Sequence, residues 1–275
     1  MTTKGSRGLK ALVNLALLGG AALTSLPFFL MVFAAVKPAQ EAMTASLNIL
    51  PKRVTFQYLG ELFGKLDFGV YLRNTMIIVL ISFLGLMFMA ADGYGFAKFR
   101  FKGRGVLFGL ALATMMIPAQ VTMIPTYLIL NRLHLTGTLV GIALPGLVGG
   151  FGVFLFRQFM ATIPDELLDA ARMDGADEWR VFWSVVLPVS RPILAVQGVL
   201  TFIGSWNSFL WPLVIANNQS DYTLSVGLAL LNDQVAVNPS IQMSGAAVMV
   251  VPILVVFVVF QRHIVQGFVM SGLKS

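Results

Sequence analysis

Apolar residues run along this chain in long blocks, neither alternating as in a half-buried strand nor confined to the single stripe of a surface helix. Crossing a hydrocarbon layer of about 30 Å takes about 20 apolar residues in helical form. Six stretches between charges reach or approach that length, at residues 11–36, 74–91, 105–131, 135–156, 192–220 and 244–261. The pattern predicts an all-α integral membrane protein with six transmembrane helices. The first block follows Lys4, Arg7 and Lys10, as a signal peptide would. It is longer than the roughly 7 to 15 apolar residues of such a segment, so it reads as a retained anchor. Pro27, Pro118, Pro145 and Pro252 fall inside the blocks and are expected at kinks, because neighbouring helices can satisfy the carbonyls they free.

Between the fourth and fifth blocks the pattern changes. Residues 157–191 carry six of the twelve acidic side chains: Asp165, Glu166, Asp169, Asp174, Asp177 and Glu178. Pro164 followed by Asp165 and Glu166 suits a first helical turn, where a fixed φ and negative charge complement the dipole. Gly175 then supplies a stop. A second short helix is predicted from near Asp177, with Trp179, Phe182, Trp183 and Val186 on one face, ending before Pro188. The result is a helix-turn-helix lying across a membrane surface. It could be an amphipathic hairpin that holds the bundle closed, but an acidic face set against an anionic leaflet favours a protein partner.

Composition supports the membrane reading. Hydrophobic residues make up 57% and charged residues 11%, with a mean hydropathy of +0.83, which excludes both a soluble globular domain and a disordered chain. The absence of cysteine excludes disulfides, thiolate metal sites and a cysteine nucleophile. With the N-terminus in the cytoplasm, thirteen of the 19 Lys and Arg residues fall on that side, so the positive-inside bias places both termini there. The run Lys98, Arg100, Lys102 and Arg104, interleaved with Phe96, Phe99 and Phe101, follows a span directly. It reads as a juxtamembrane anchor against the lipid bilayer, with no nucleic acid as partner.

No phosphate-cradling G-x-x-x-x-G-K-[ST] occurs, no carboxylate lies at mid-membrane depth, and His134 and His263 fall near span ends. Catalytic signatures such as H-E-x-x-H and G-x-S-x-G are absent too, which argues against a membrane-embedded enzyme. The chain is expected to bind no cofactor of its own.

The run Asp169-Ala170-Ala171-Arg172-Met173-Asp174-Gly175, followed after nine residues by Val185-Val186-Leu187-Pro188, resembles the "E-A-A, three residues, G, nine residues, I-x-L-P" signature of permease subunits in binding-protein-dependent ABC importers. Asp169 stands for the usual Glu and Val185 for Ile. Tyr94 to Gly103, Phe156-Arg157-Gln158-Phe159, Trp206 to Pro212 and the tail Gln261-Arg262-His263 with Gln266-Gly267 resemble the carbohydrate branch, the maltose-type second permease. The likeness covers residues 74–275, and residues 1–73 match in layout only. It implies an N-terminal anchor and extracytoplasmic loop (1–73), then a permease core (74–275) with a cytoplasmic coupling loop at 159–190 between the fourth and fifth helices. It also implies the partners: a second homologous permease, a cytoplasmic ATPase dimer that holds ATP and Mg, and an extracytoplasmic solute-binding protein, all at a bacterial or archaeal cytoplasmic membrane. Glu166, Asp169, Ala170, Ala171, Asp174, Gly175, Leu187 and Pro188 would then couple to the ATPase.

A route for a sugar needs polar and aromatic groups inside the spans. Gln120 and Thr122 in the third block and Ser205, Trp206, Asn207, Ser208 and Trp211 in the fifth are the candidates, although the tryptophans serve equally well as belt or packing residues. Gly105-x-x-x-Gly109 is expected to make a close helix contact within the chain and Gly146-x-x-x-Gly150 one with a partner. Residues 217–239 resemble the loop that reaches into the binding protein's cleft, with a plain solvated connector as the alternative. Glycerol-3-phosphate or a glycerophosphodiester is the second substrate reading, with Arg132 as the candidate basic group. A non-transporting membrane scaffold is the third.

Overall fold

The computed structural model describes residues 4–38, 41, 50–234 and 238–272, and helix is the only regular structure among them. In chain order the helices are α1 (Lys4–Ala35), α2 (Gln57–Lys65), α3 (Phe68–Lys98), α4 (Arg104–Thr114), α5 (Ala119–Arg132) and α6 (Leu139–Gly146, its last turn 3₁₀). They continue as α7 (Gly150–Met160), α8 (Asp165–Met173), α9 (Glu178–Val189), α10 (Arg191–Trp206), α11 (Leu210–Ile215), α12 (Leu224–Gln234) and α13 (Pro239–Gly272). Three segments are long and apolar enough to cross a bilayer singly: Gly8–Ala35, Phe68–Lys98 and Pro239–Gln261. Three further pairs qualify only together, bent by 101° between α4 and α5, 47° between α6 and α7, and 80° between α9 and α10.

Three predicted blocks are therefore not single helices. The third breaks at 115–118, where Pro118 bars its predecessor from helical geometry and starts α5. The fourth turns at Pro145 through a 3₁₀ segment. The fifth ends at Trp206, because Pro212 in α11 has no N–H to offer the carbonyl of Ser208. Pro27 and Pro252 instead lie within continuous helices. Hydropathy alone cannot see such breaks, since the residues around them are as apolar as the helices.

The chain folds as two units. The first comprises residues 1–69 and 228–251. Leu12, Leu15, Leu18 and Leu23 along α1 are all exposed, as suits a helix whose solvent is lipid. The helix end is fixed where the buried Ser244 hydroxyl donates to the carbonyl of Ala35 (2.9 Å).

The second unit comprises residues 70–227 and 252–275. Its main core joins Leu86, Met89, Ala90 and Tyr94 of α3 to Val153, Phe156 and Met160 of α7 and to Leu168, Val181, Phe182 and Val186 of α8 and α9. Glycine sets the α3 approach. A Cβ on Gly85 would stand 1.8 Å from the Leu147 carbonyl oxygen, and one on Gly93 would stand 2.3 Å from Cβ of Phe156. Gly105 and Gly109, expected at a close contact, have nothing of this chain within 4 Å, whereas Gly150 packs on Ala111 of α4.

Candidate functional site: a charged hairpin and an uncharged cavity

Two features of the second unit carry the chemistry. The first is the α8–α9 hairpin. Pro164 precedes α8 in extended geometry, and Asp165 and Glu166 occupy its first turn. Gly175 closes it at φ +84°, with its N–H donating to the Arg172 carbonyl (3.0 Å) and that of Ala176 to the Ala171 carbonyl (3.1 Å). This pair of bonds at a left-handed residue is the Schellman arrangement, which glycine adopts without strain. The Asp177 side chain then caps α9 by accepting from the Arg180 N–H (2.7 Å).

α9 departs from expectation in two ways. Pro188 does not end it: residues 182–186 form a π turn in which the Leu187 N–H reaches the Phe182 carbonyl, and the helix runs on to Val189. That wider turn also re-phases the side chains. Val181, Phe182, Val186 and Leu187 enter the core, while Trp179 and Trp183 stand outside it.

Arg172 holds the hairpin together. Its guanidinium grips Asp169 (Nη1 to Oδ1, 2.7 Å) on its own helix and Glu178 (Nε to Oε1, 2.7 Å; Nη2 to Oε2, 3.2 Å) across the turn. Two side chains of α3 secure the hairpin from behind. The Tyr94 hydroxyl donates to Glu178 (3.1 Å), and Lys98 donates to Asp165 (2.6 Å) and to the Ile163 carbonyl. The outer surface then shows Glu166, Asp169, Ala170, Asp174 and Pro188 exposed, with Ala171 half-buried and Leu187 inside. Met173, 87% exposed, and Trp179, 66% exposed, add apolar knobs to this acidic surface. Trp179 was expected on the apolar face of the second hairpin helix, and Met173 appeared only as a spacer residue of the signature. Arg172 was legible from its spacing to Asp169, but Tyr94 and Lys98 lie too far away in the chain to be linked to it.

The hydrogen bond and charge of Lys98 hold the Asp165 carboxyl below the usual carboxylate range, and Arg172, through its hydrogen bonds, does the same for Glu178. The Arg172 guanidinium is pushed higher, chiefly by its bonds to Glu178 and Asp169. A carboxyl lowered in the folded state adds stability above its ordinary value of about 4 and loses it as pH falls through the lowered value. Amide exchange across residues 165–178, corrected for its intrinsic rate, should therefore be flat between about pH 8 and 6 and accelerate only below about pH 4. Loss of protection already at about pH 6 would mean that another group governs the hairpin.

The second feature is a cavity of about 770 Å³ walled by α3, α5, α6, α7, α10 and α11. Gln120 and Thr122 of α5, Ser205 of α10 and Trp211 of α11 all line it. Ser208, also a candidate, lines it too, as do Ser82, Thr126, Gln197 and Thr201, which the sequence reading did not single out. Gln197, Thr201 and Ser205 follow at four-residue intervals, one stripe down α10. No lining residue is charged. Trp211 is fixed in the wall by its indole N–H, which donates to the Ile142 carbonyl (3.1 Å). The Gln197 side-chain oxygen is buried without a hydrogen-bond partner in this unit. Trp206 and Asn207 are not brought to the cavity. Trp206 is buried and stacked on Phe202 (centroids 5.3 Å apart), and Asn207 caps the exposed end of α10. Arg132, at the end of α5, does not line it either.

A bundle of broken apolar helices that encloses an uncharged cavity and carries a stapled acidic hairpin defines a membrane permease. Residues 84–269 match the family described as "Binding-protein-dependent transport system inner membrane component", and the chain belongs to that family as a non-catalytic permease subunit of an ABC importer. It is 33% identical over 253 residues to the arabinooligosaccharides transport system permease protein AraQ of Bacillus subtilis (strain 168), covering 90% of each chain. It is 32% identical over 274 residues to the sn-glycerol-3-phosphate transport system permease protein UgpE of Yersinia pestis bv. Antiqua (strain Antiqua), covering 96% of this chain and 98% of the relative. The crystal structure of a bacterial ABC transporter involved in the import of the acidic polysaccharide alginate shares the fold, with a TM-score of 0.80 at 24% identity over 95% of this chain and 98% of that one.

Proposed function

We propose that this subunit forms one half of a heterodimeric channel that imports an uncharged sugar or oligosaccharide delivered by a solute-binding protein. Its setting is a bacterial cytoplasmic membrane, where α1, α3, the bent pairs α4–α5 and α6–α7, α10 and α13 make six spans with both termini in the cytoplasm. The thirteen basic residues on that side support the orientation. The α8–α9 hairpin is the surface presented to a cytoplasmic ATPase dimer, which holds ATP and Mg. Its carboxylates suit basic groups across a wet, reversible interface, and Met173 and Trp179 supply the apolar contact. Glu166, Asp169, Ala170, Ala171, Asp174, Gly175, Leu187 and Pro188 shape that surface or support it from within. A second, homologous permease completes the channel.

The observation that carries the substrate class is the uncharged cavity wall. Amide and hydroxyl groups beside an aromatic plane match sugar hydroxyls and C–H faces. A phosphate or uronate would need a cationic partner that this wall does not offer. This favours the sugar relative over the glycerol-3-phosphate relative as a guide. In proteoliposomes holding the complete importer, a neutral oligosaccharide should accumulate saturably with ATP, and excess sn-glycerol-3-phosphate should not compete. Preferential uptake of the phosphorylated ligand would refute the assignment. Introducing a cation with Ser205→Lys should cut neutral-sugar uptake by at least about tenfold, because the unpaired charge must be desolvated near the substrate. Unchanged uptake would remove Ser205 from the route.

A further inference from the structure

α3 differs from every other span in the described residues. It runs 31 residues without a proline, about 46 Å at 1.5 Å per residue. α1 and α13 contain Pro27 and Pro252, and the remaining spans belong to pairs bent by 47° to 101°. Both ends of α3 in the second unit are held by buried polar groups. At one end the Asn74 amide, 1% exposed, donates to the carbonyls of Ser220 (2.7 Å) and Tyr222 (3.0 Å). The fully buried Thr75 hydroxyl accepts from the Leu224 N–H (2.9 Å), and the Tyr71 hydroxyl accepts from Gln219 (2.8 Å). At the other end Tyr94 and Lys98 hold the hairpin through Glu178, Asp165 and the Ile163 carbonyl. Between them, Ile78, Ser82 and Met89 face the cavity.

We propose that α3 is a strut that reports the state of the 217–224 loop to the α8–α9 hairpin, past the cavity that both must control. The proposal rests on the functional reading above, in which the hairpin faces the ATPase, and extends it by taking the loop, part of the 217–239 segment that resembles the binding-protein loop, to face the binding protein. A helix with an unbroken hydrogen-bond ladder shifts as one piece, whereas bent spans absorb displacement at their breaks. At the Asn74–Thr75 end the clamping groups are buried, so a half-made bond leaves a desolvated group unpaired, while at the hairpin end the buried Tyr94 and Lys98 reach out to exposed carboxylates. Close packing at Gly85 and Gly93 keeps the strut flush against its neighbours, so it can slide or rock but has little room to buckle.

The test is ATP hydrolysis by the complete importer in lipid nanodiscs, measured with and without sugar-loaded binding protein, alongside the affinity of binding-protein docking. Asn74→Leu and Tyr94→Phe break one clamp each. Each should lower the stimulated-to-unstimulated ratio by at least about fivefold, the low end of ordinary coupling between sites. The double variant should be no worse than the poorer single one, because both act on one route. Leu80→Gly combined with Leu84→Gly softens the helix on an exposed face and touches neither clamp nor cavity. It should lose stimulation similarly while unstimulated hydrolysis and docking stay within about twofold. Full stimulation in the softened helix, or independent multiplying losses in the double clamp variant, overturns the strut and leaves the importer reading intact. A wild-type complex that the binding protein fails to stimulate overturns both.

Discussion

Replacing Gly175 by proline is expected to abolish sugar uptake by the assembled importer while the subunit still inserts and can be purified. The backbone there sits at φ +84°, and proline is confined near −65°. The substitution also removes the N–H that bonds the Arg172 carbonyl, so both constraints of the turn fail together. The side-chain position is open, with nothing within 4 Å of a Cβ, so any effect comes from the backbone and not from crowding. That makes a graded series informative. Asparagine tolerates the left-handed region and should retain most uptake. Alanine, which costs about 1–2 kcal/mol there, should be intermediate, and proline should be null. Uptake of labelled sugar into proteoliposomes, with ATP hydrolysis read in parallel, gives the order. An alanine variant as inactive as the proline one would mean that the turn's conformation is not what matters.

Gly93→Leu is expected to produce a large loss of stability. Even a methyl group would stand 2.3 Å from Cβ of Phe156 and 2.9 Å from the Arg157 nitrogen, so α3 and α7 must separate. Overpacking of an ordinary core costs about 1–3 kcal/mol, and here the obstacle is largely backbone, which cannot rotate aside. Gly93→Ala should already lower the melting temperature of the detergent-solubilised complex, and the leucine variant should fail to assemble. Gly105→Leu, at an open position, is the control and should melt as the wild type does. A stable Gly93→Leu complex would show that the two helices are not held at this distance.

Some of this was legible in the sequence because the signal was local. The hairpin announced itself through Pro164, the clustered carboxylates and Gly175, each of which acts within a few residues. The all-helical, lipid-facing character followed from block length. What stayed hidden depends on partners far along the chain. Tyr94 and Lys98 read as the end of a span and the start of a basic run until the fold set them against Glu178 and Asp165. Of the two glycine spacings that drew attention, only Gly150 makes a close approach, and Gly85 and Gly93, which carry no such spacing, make others. Trp179, Phe182 and Trp183 do share a face, with ring centroids 5.6–6.0 Å apart, but spacing alone did not say that Phe182 would be buried and the two tryptophans left outside. In the cavity, Ser205 and Trp211 were found as polar or aromatic residues in an apolar block, but Trp206 beside them was not separable. Which of two adjacent residues faces inward depends on helix rotation, and hydropathy is blind to that.

The uncharged wall has an electrical consequence. Each elementary charge moved across a membrane at 100 mV is worth about 2.3 kcal/mol, in whichever direction the field dictates. A neutral cargo passing side chains that carry no ions leaves this half of the pathway nothing for the voltage to pull on. At fixed ATP and fixed binding-protein supply, import of an uncharged sugar through it should run at the same speed with and without a membrane potential.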